Sequence, residues 1–201
     1  GTLTIDKAKA KVTVKGNKDS KPYNGKNQSV SGYSLVSIDN DLYKESYFTL
    51  KEGKGTATRK NAGTTPMGLK SEDFQNRNDN FDVEFVVSED GSMTITQNTA
   101  EVTVTITGSE ETKEYNGSEQ TLEGFQSTVS GAEKAQIQVS LKAGKTAQAK
   151  GTNVGKYSMN LKAEDFEATS DNYSNIKVVV AKDGTLTIDK AKAKVTVKGN
   201  K

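Results

Sequence analysis

The 201-residue chain contains no cysteine, no histidine and no tryptophan, and only two prolines. Lack of cysteine excludes disulfides. Lack of cysteine and histidine together excludes the ligand sets of most zinc and other transition-metal sites, and with them the commonest general base. Hydrophobic residues make up 32% and aromatics 6% of the chain, too little for one thick core. Two thin cores in domains of about 100 residues suit this material better. No apolar run is long enough to cross a membrane as a helix. Charge of one sign is missing too: 28 basic residues stand against 26 acidic ones, and the net of +2 leaves no electrostatic footprint for nucleic acid or an anionic membrane surface. The local exception, DKAKAKVTVK, alternates Lys with Ala and Val and reads as the solvated face of a strand.

What the sequence does have is repetition. GTLTIDKAKAKVTVKGNK opens the chain at Gly1 and recurs at Gly184, an offset of 183 residues. Inside that period lies a weaker repeat at an offset of 92, which brings Tyr23 onto Tyr115 and NAGTTPMGLKSEDF onto NVGKYSMNLKAEDF. The chain therefore reads as a two-unit window of a tandem array. Residues 1–6 are expected as the last strand of a preceding repeat, 7–97 as repeat one, 98–189 as repeat two and 190–201 as the first strand of a following repeat.

Apolar residues alternate at period two within each unit: Val12 and Val14; Val83, Phe85 and Val87; Val102, Val104 and Ile106; Val178 and Val180; Leu186 and Ile188. Thr, Lys and Glu take the intervening positions, the mark of half-buried strands. Asn-Gly and Asp-Gly punctuate them, and the spacing predicts a hairpin across Asp90-Gly91 and another across Asp183-Gly184. The fold class expected is all-β: two tandem Ig-like β-sandwich repeats joined by short stiff linkers, because the junctions TITQNTAEVTV and TLTIDKAKAKVTV contain no Gly or Pro. The alternative is a β-grasp-type repeat with a short helix, for which SEDF and AEDF are the only helical signal.

K-x-Y-N-G at the start of each unit, then NxG followed by M-x-L, then DNF or DNY, and a terminal DGTLTI running into KAKAKVTV, resemble the tandem Ig-like repeats of bacterial surface adhesins, of the mucin-binding-related MBG and YDG types. Asn24 and Asn116 stand where the YDG pattern has Asp. The resemblance implies an extracellular, cell-surface protein, anchored to the wall by a region outside these residues. In such proteins the repeats form a stalk that projects a distal binding region or, alternatively, bind mucin, glycan or matrix protein themselves. The implied partners are the neighbouring repeats and, in the second case, a host glycan or matrix protein.

No catalytic constellation is readable, so no enzyme, no metal and no cofactor is expected. AGKT at 143–146 resembles the end of a phosphate loop but lacks its earlier glycine, since position 139 is Val139. Glu72-Asp73 and Glu164-Asp165 recur in both units at the start of a helical turn, where acids satisfy unpaired N–H groups. Tyr23-Asn24-Gly25 and Tyr115-Asn116-Gly117 read as a structural turn motif whose ring plugs the end of the sandwich. Tyr33, Tyr43 and Tyr47, in a loop-rich stretch, are the candidate ligand-binding residues. NRNDNFD and TSDNYS are oxygen-rich loops of the kind that can hold calcium. A Lys-to-Asn amide cross-link would need Lys7, Lys9 or Lys11 buried near Asn98.

Overall fold

The structure, a computed structural model, describes residues 1–199 and separates into two units, Gly1–Asn98 and Thr99–Lys201. Unit one begins with β1 (Ala8–Gly16) and β2 (Lys18–Pro22), divided only by Asn17, and ends with β9 (Phe81–Glu89) and β10 (Ser92–Thr96), divided only by Asp90 and Gly91. Between them lie the short strands β3 (Gln28–Ser31), β4 (Tyr33–Ile38), β5 (Phe48–Leu50), β6 (Thr56–Arg59), β7 (Gly63–Pro66) and β8 (Phe74–Asn76).

The first and last strand pairs form the spine of the unit. β1 runs parallel to β9, from Ala8 opposite Phe81 to Lys15 opposite Glu89. β2 continues parallel to β10, from Lys18 opposite Ser92 to Pro22 opposite Thr96. Each half of the spine collects one antiparallel neighbour, giving the sheets β4-β1-β9 and β2-β10-β7, and the ribbons β5-β8 and β3-β6 complete the unit. Alternation does the packing: Val12 and Val14 are fully buried and join Tyr43, Phe48, Leu69, Phe74 and Phe81 in one cluster, while Met93, Ile95 and Ala57 are buried in the other half.

Unit two repeats this plan with β11 (Val102–Gly108), β12 (Glu110–Glu114), β13 (Gln120–Glu123), β14 (Phe125–Ser130), β15 (Gln138–Leu141), β16 (Gln148–Gly151), β17 (Gly155–Ser158), β18 (Phe166–Thr169), β19 (Ile176–Lys182) and β20 (Thr185–Asp189). Its sheets are β14-β11-β19 and β12-β20-β17, its ribbons β13-β16 and β15-β18, and Val102, Val104, Ile106, Leu186 and Ile188 are its most deeply buried side chains. The all-β expectation holds. The helix of the β-grasp alternative is absent among the described residues, where helical segments are three-residue 3-10 turns such as Ser71–Asp73 and Ala163–Asp165.

The predicted Asp-Gly hairpins do not form. β9 and β10 do not pair with each other; they pass in the same direction from one sheet to the next, as do β19 and β20. Neither Gly91 nor Gly184 has the positive φ that a two-residue hairpin turn demands. Glycine is needed here for room instead. The two parallel strands cross at Gly16 against Gly91 in unit one and at Gly108 against Gly184 in unit two, so closely that a Cβ on Gly16 would lie 2.6 Å from the Cα of Gly91, and one on Gly108 2.5 Å from the Cα of Gly184. Register slips just before each crossing, after Val14 and after Ile106, and the bulge turns the strand toward its second sheet.

Residues 1–7 and 190–199 carry no strand. Their twins do: Leu186 and Ile188 are buried in β20, whereas Leu3 and Ile5, in the same sequence, are each 85% exposed. The difference is pairing, since β20 lies between two partners and a strand without one leaves its backbone groups to water. The last two residues of the expected 190–201 strand lie outside the described residues.

Candidate functional site

The three tyrosines nominated as a ligand patch are placed by the core. Tyr43 is 2% exposed; its hydroxyl donates to Asn76 Oδ1 at 2.8 Å and to the Tyr47 carbonyl at 3.2 Å, and its ring packs edge-on against Phe81 and Tyr47. Burial pushes its hydroxyl above the ordinary tyrosine range. Tyr33 packs edge-on against Phe74, 5.0 Å between ring centres, and is raised by burial and then by Glu45. Tyr47 is half-buried. Leu42 is exposed beside the buried Tyr43. The structure thus gives Tyr43 no free face, and the set forms part of an aromatic core.

The Tyr-Asn-Gly motif builds the same turn twice. Asn24 Oδ1 accepts the N–H of Lys26 at 3.0 Å, and Asn116 Oδ1 that of Ser118 at 2.9 Å. Gly25 and Gly117 take φ of 77° and 81°, which only glycine adopts without strain. Tyr23 is buried, but Tyr115 is 40% exposed, so the plugging ring belongs to unit one. Tyr157 closes its own turn in unit two by donating to the Asn153 carbonyl at 2.9 Å.

Asp90 and Asp183 hold the crossing in place, a role the hairpin expectation missed. The Asp90 carboxylate accepts the backbone N–H groups of Gly68 and Leu69, both at 2.9 Å. That of Asp183 accepts those of Asn160 and Leu161 at 2.9 and 3.0 Å. The acidic pairs behave as capping groups. Asp73 Oδ2 accepts the Lys70 N–H at 2.9 Å and Asp165 Oδ2 that of Lys162 at 3.1 Å. In unit two the carboxylate also meets Lys145 at 2.7 Å. That hydrogen bond lowers Asp165 and raises Lys145 from their ordinary values. Lys145 is the lysine of AGKT, whose backbone turns back from Lys145 N–H to the Lys142 carbonyl at 3.0 Å and opens no helix that would receive a phosphate.

The oxygen-rich loop 76–82 spends its amides on itself: Asn76 Oδ1 accepts from Asn78 N and Tyr43, and Asn78 Oδ1 from Asn80 N. Among the described residues no three acidic side chains cluster as a metal site would require. Lys7, Lys9 and Lys11 are all exposed, and the Asn98 amide donates to the Tyr23 carbonyl at 3.0 Å, so the buried lysine that an amide cross-link needs is missing from this set. Two ion pairs unforeseen in the sequence sit at the crossings: Lys18 with Glu89, and Lys182 with Glu110 at 2.6 Å. Lys18 holds Glu89 below the usual carboxylate range.

The Asn-Gly turns, the aspartate caps and the ion pairs at the strand crossings thus occur in both units. The two units are repeats of one architecture. Residues 102–190 match the family described as MBG domain, a repeat-domain type, and unit one repeats the topology of unit two strand for strand. No curated protein and no solved structure matches the chain.

Proposed function

We propose that these units form a non-catalytic stalk of a bacterial cell-surface adhesin, outside the cell, with neighbouring repeats as their main partners and a distal region doing the binding. One observation carries this reading: the opening strands β1 and β2 and the closing strands β9 and β10 are parallel. The chain therefore enters a unit at one pole and leaves it at the other. A unit wired in this way lengthens an array with each copy added, whereas a unit with antiparallel terminal strands would return the chain to its starting pole. The same wiring puts tension along the strands, so that their hydrogen bonds resist together in shear.

The alternative, a mucin, glycan or matrix-binding module, loses its best surface with the burial of Tyr43. Small-angle scattering on arrays of two, four and six units tests the stalk. The spine from Ala8 to Pro22, at about 3.3 Å per residue, spans roughly 50 Å. The maximum dimension is expected to rise by a constant increment near that value with each unit. Growth that falls well short of linear, as in a folded-back or freely jointed chain, would overturn the reading.

A further inference from the structure

Tandem copies of one fold share a hazard: the spine strands of one unit fit the groove of its neighbour, and exchange between them traps misfolded chains. The two units differ in a way that opposes this. In unit one the opening strands are basic and the closing strand acidic. Lys9 stands opposite Asp82, Lys11 opposite Glu84 and Lys15 opposite Glu89, and Lys18 is paired with Glu89. In unit two the polarity is reversed. The closing strand carries Lys177 and Lys182, opposite Thr103 and Thr107, and Lys182 is paired with Glu110 of the opening strands.

We propose that this reversal is a pairing code that keeps each spine strand within its own unit. Were β1 and β2 to take the place of β11 and β12, Lys11 would face Lys177, and both Lys15 and Lys18 would face Lys182. The reciprocal exchange would set Glu110 against Glu89. All of these side chains except Thr103 lie on exposed positions, so the code costs the native core nothing. Like charges directly opposite on neighbouring strands are unfavourable, and opposite charges favourable, by small amounts that add along the strand. Residues 190–199 repeat the basic opening sequence of unit one, opposite in sign to Glu110, Glu111 and Glu114 of β12.

The test reverses, in unit one, the pairs that would clash after exchange, while preserving every pair within a unit. In the full chain, Lys11→Glu, Lys15→Glu and Lys18→Glu are combined with Glu84→Lys and Glu89→Lys. Refolding from urea is followed by interrupted unfolding, which counts chains trapped in exchanged pairings, and by size exclusion, which detects strand-swapped dimers. The variant is expected to raise the exchanged fraction about tenfold, from several mismatches each of a fraction of the tenfold unit of free energy. The wild type should approach the variant in 1 M salt, where charges are screened beyond about 3 Å. Equal exchanged fractions in the two proteins, zero included, overturn the proposal, as does a wild-type fraction indifferent to salt. Should the five-fold variant fail to fold, Lys18→Glu with Glu89→Lys carries the same expectation at a few-fold. No outcome bears on whether the array is a stalk.

Discussion

Replacing Gly108 with alanine isolates the crossing of the two spine strands. The new methyl would sit 2.5 Å from the Cα of Gly184, against an ordinary contact of about 3.5 to 4 Å between carbons. The neighbour is backbone, so no rotamer change relieves the clash and the strands must part by about 1 Å. Overpacking of this kind costs about 1–3 kcal/mol. Parting also stretches the bond from the Thr185 N–H to the Ser109 carbonyl, now 3.0 Å, which contributes about 1 kcal/mol. The sum is about 3 kcal/mol, a large share of the 5–15 kcal/mol typical of a small domain. With a urea dependence of about 1–1.5 kcal/mol per molar, the midpoint of unit two should fall by about 2 M or more. Urea titration followed by amide signals of Val104 reads unit two, and those of Val12 read unit one, which should stay where it was. Gly144→Ala is the control. Gly144 has φ of 78° and open space around it, so alanine there costs only about 1–2 kcal/mol of left-handed backbone strain. A Gly108→Ala variant no less stable than Gly144→Ala would refute the account of the crossing.

Asp183→Ala should cost unit two about 2–4 kcal/mol by equilibrium unfolding, because two backbone N–H groups lose a charged acceptor, with Asp90→Ala doing the same in unit one. Tyr43→Phe should cost about 1 kcal/mol through its bond to Asn76, and Tyr43→Ala about 3–5 kcal/mol through the cavity, with retention on immobilised mucin unchanged by Tyr43→Phe. The stability of unit two should fall in acid. Asp165 is held below its ordinary value of 3.8 by Lys145, so its contribution is present above that pH and disappears as pH drops through the lowered folded value. The acid limb of a melting profile should flatten in Asp165→Asn.

Strand positions were legible because period-two alternation reports a local fact, and Val12, Val14, Val104, Ile106, Leu186 and Ile188 lie buried as that pattern requires. The repeat was legible because it needs no structure at all. What failed was the meaning of Asp-Gly. Locally it resembles a hairpin turn. Its real partners, Gly16 with the Gly68 and Leu69 N–H groups for Asp90-Gly91, and Gly108 with those of Asn160 and Leu161 for Asp183-Gly184, lie more than twenty residues away in sequence. Parallel pairing of the first and last strands leaves no short-range trace either. The burial of Tyr43 was hidden for a related reason: a single aromatic in an aperiodic loop shows no face, and only the position of Asn76 and Phe81 draws it inward. The charge reversal between units was present in the aligned repeats, but the register that sets Lys18 beside Glu89 was needed to give it meaning.

Under the proposed stalk function, parallel spine strands carry load from pole to pole. Single-molecule stretching tests it in two geometries on the same unit. Pulling from Lys7 and Gln97 loads the spine in shear; pulling from Lys7 and Asn80, which flank the starts of β1 and β9 at one pole, peels the strands apart. The account predicts a much higher unfolding force in shear. Each shear event should lengthen the chain by about 260 Å, from a unit of roughly 90 residues at about 3.4 Å each less a folded span of about 50 Å. Equal forces in the two geometries would contradict it.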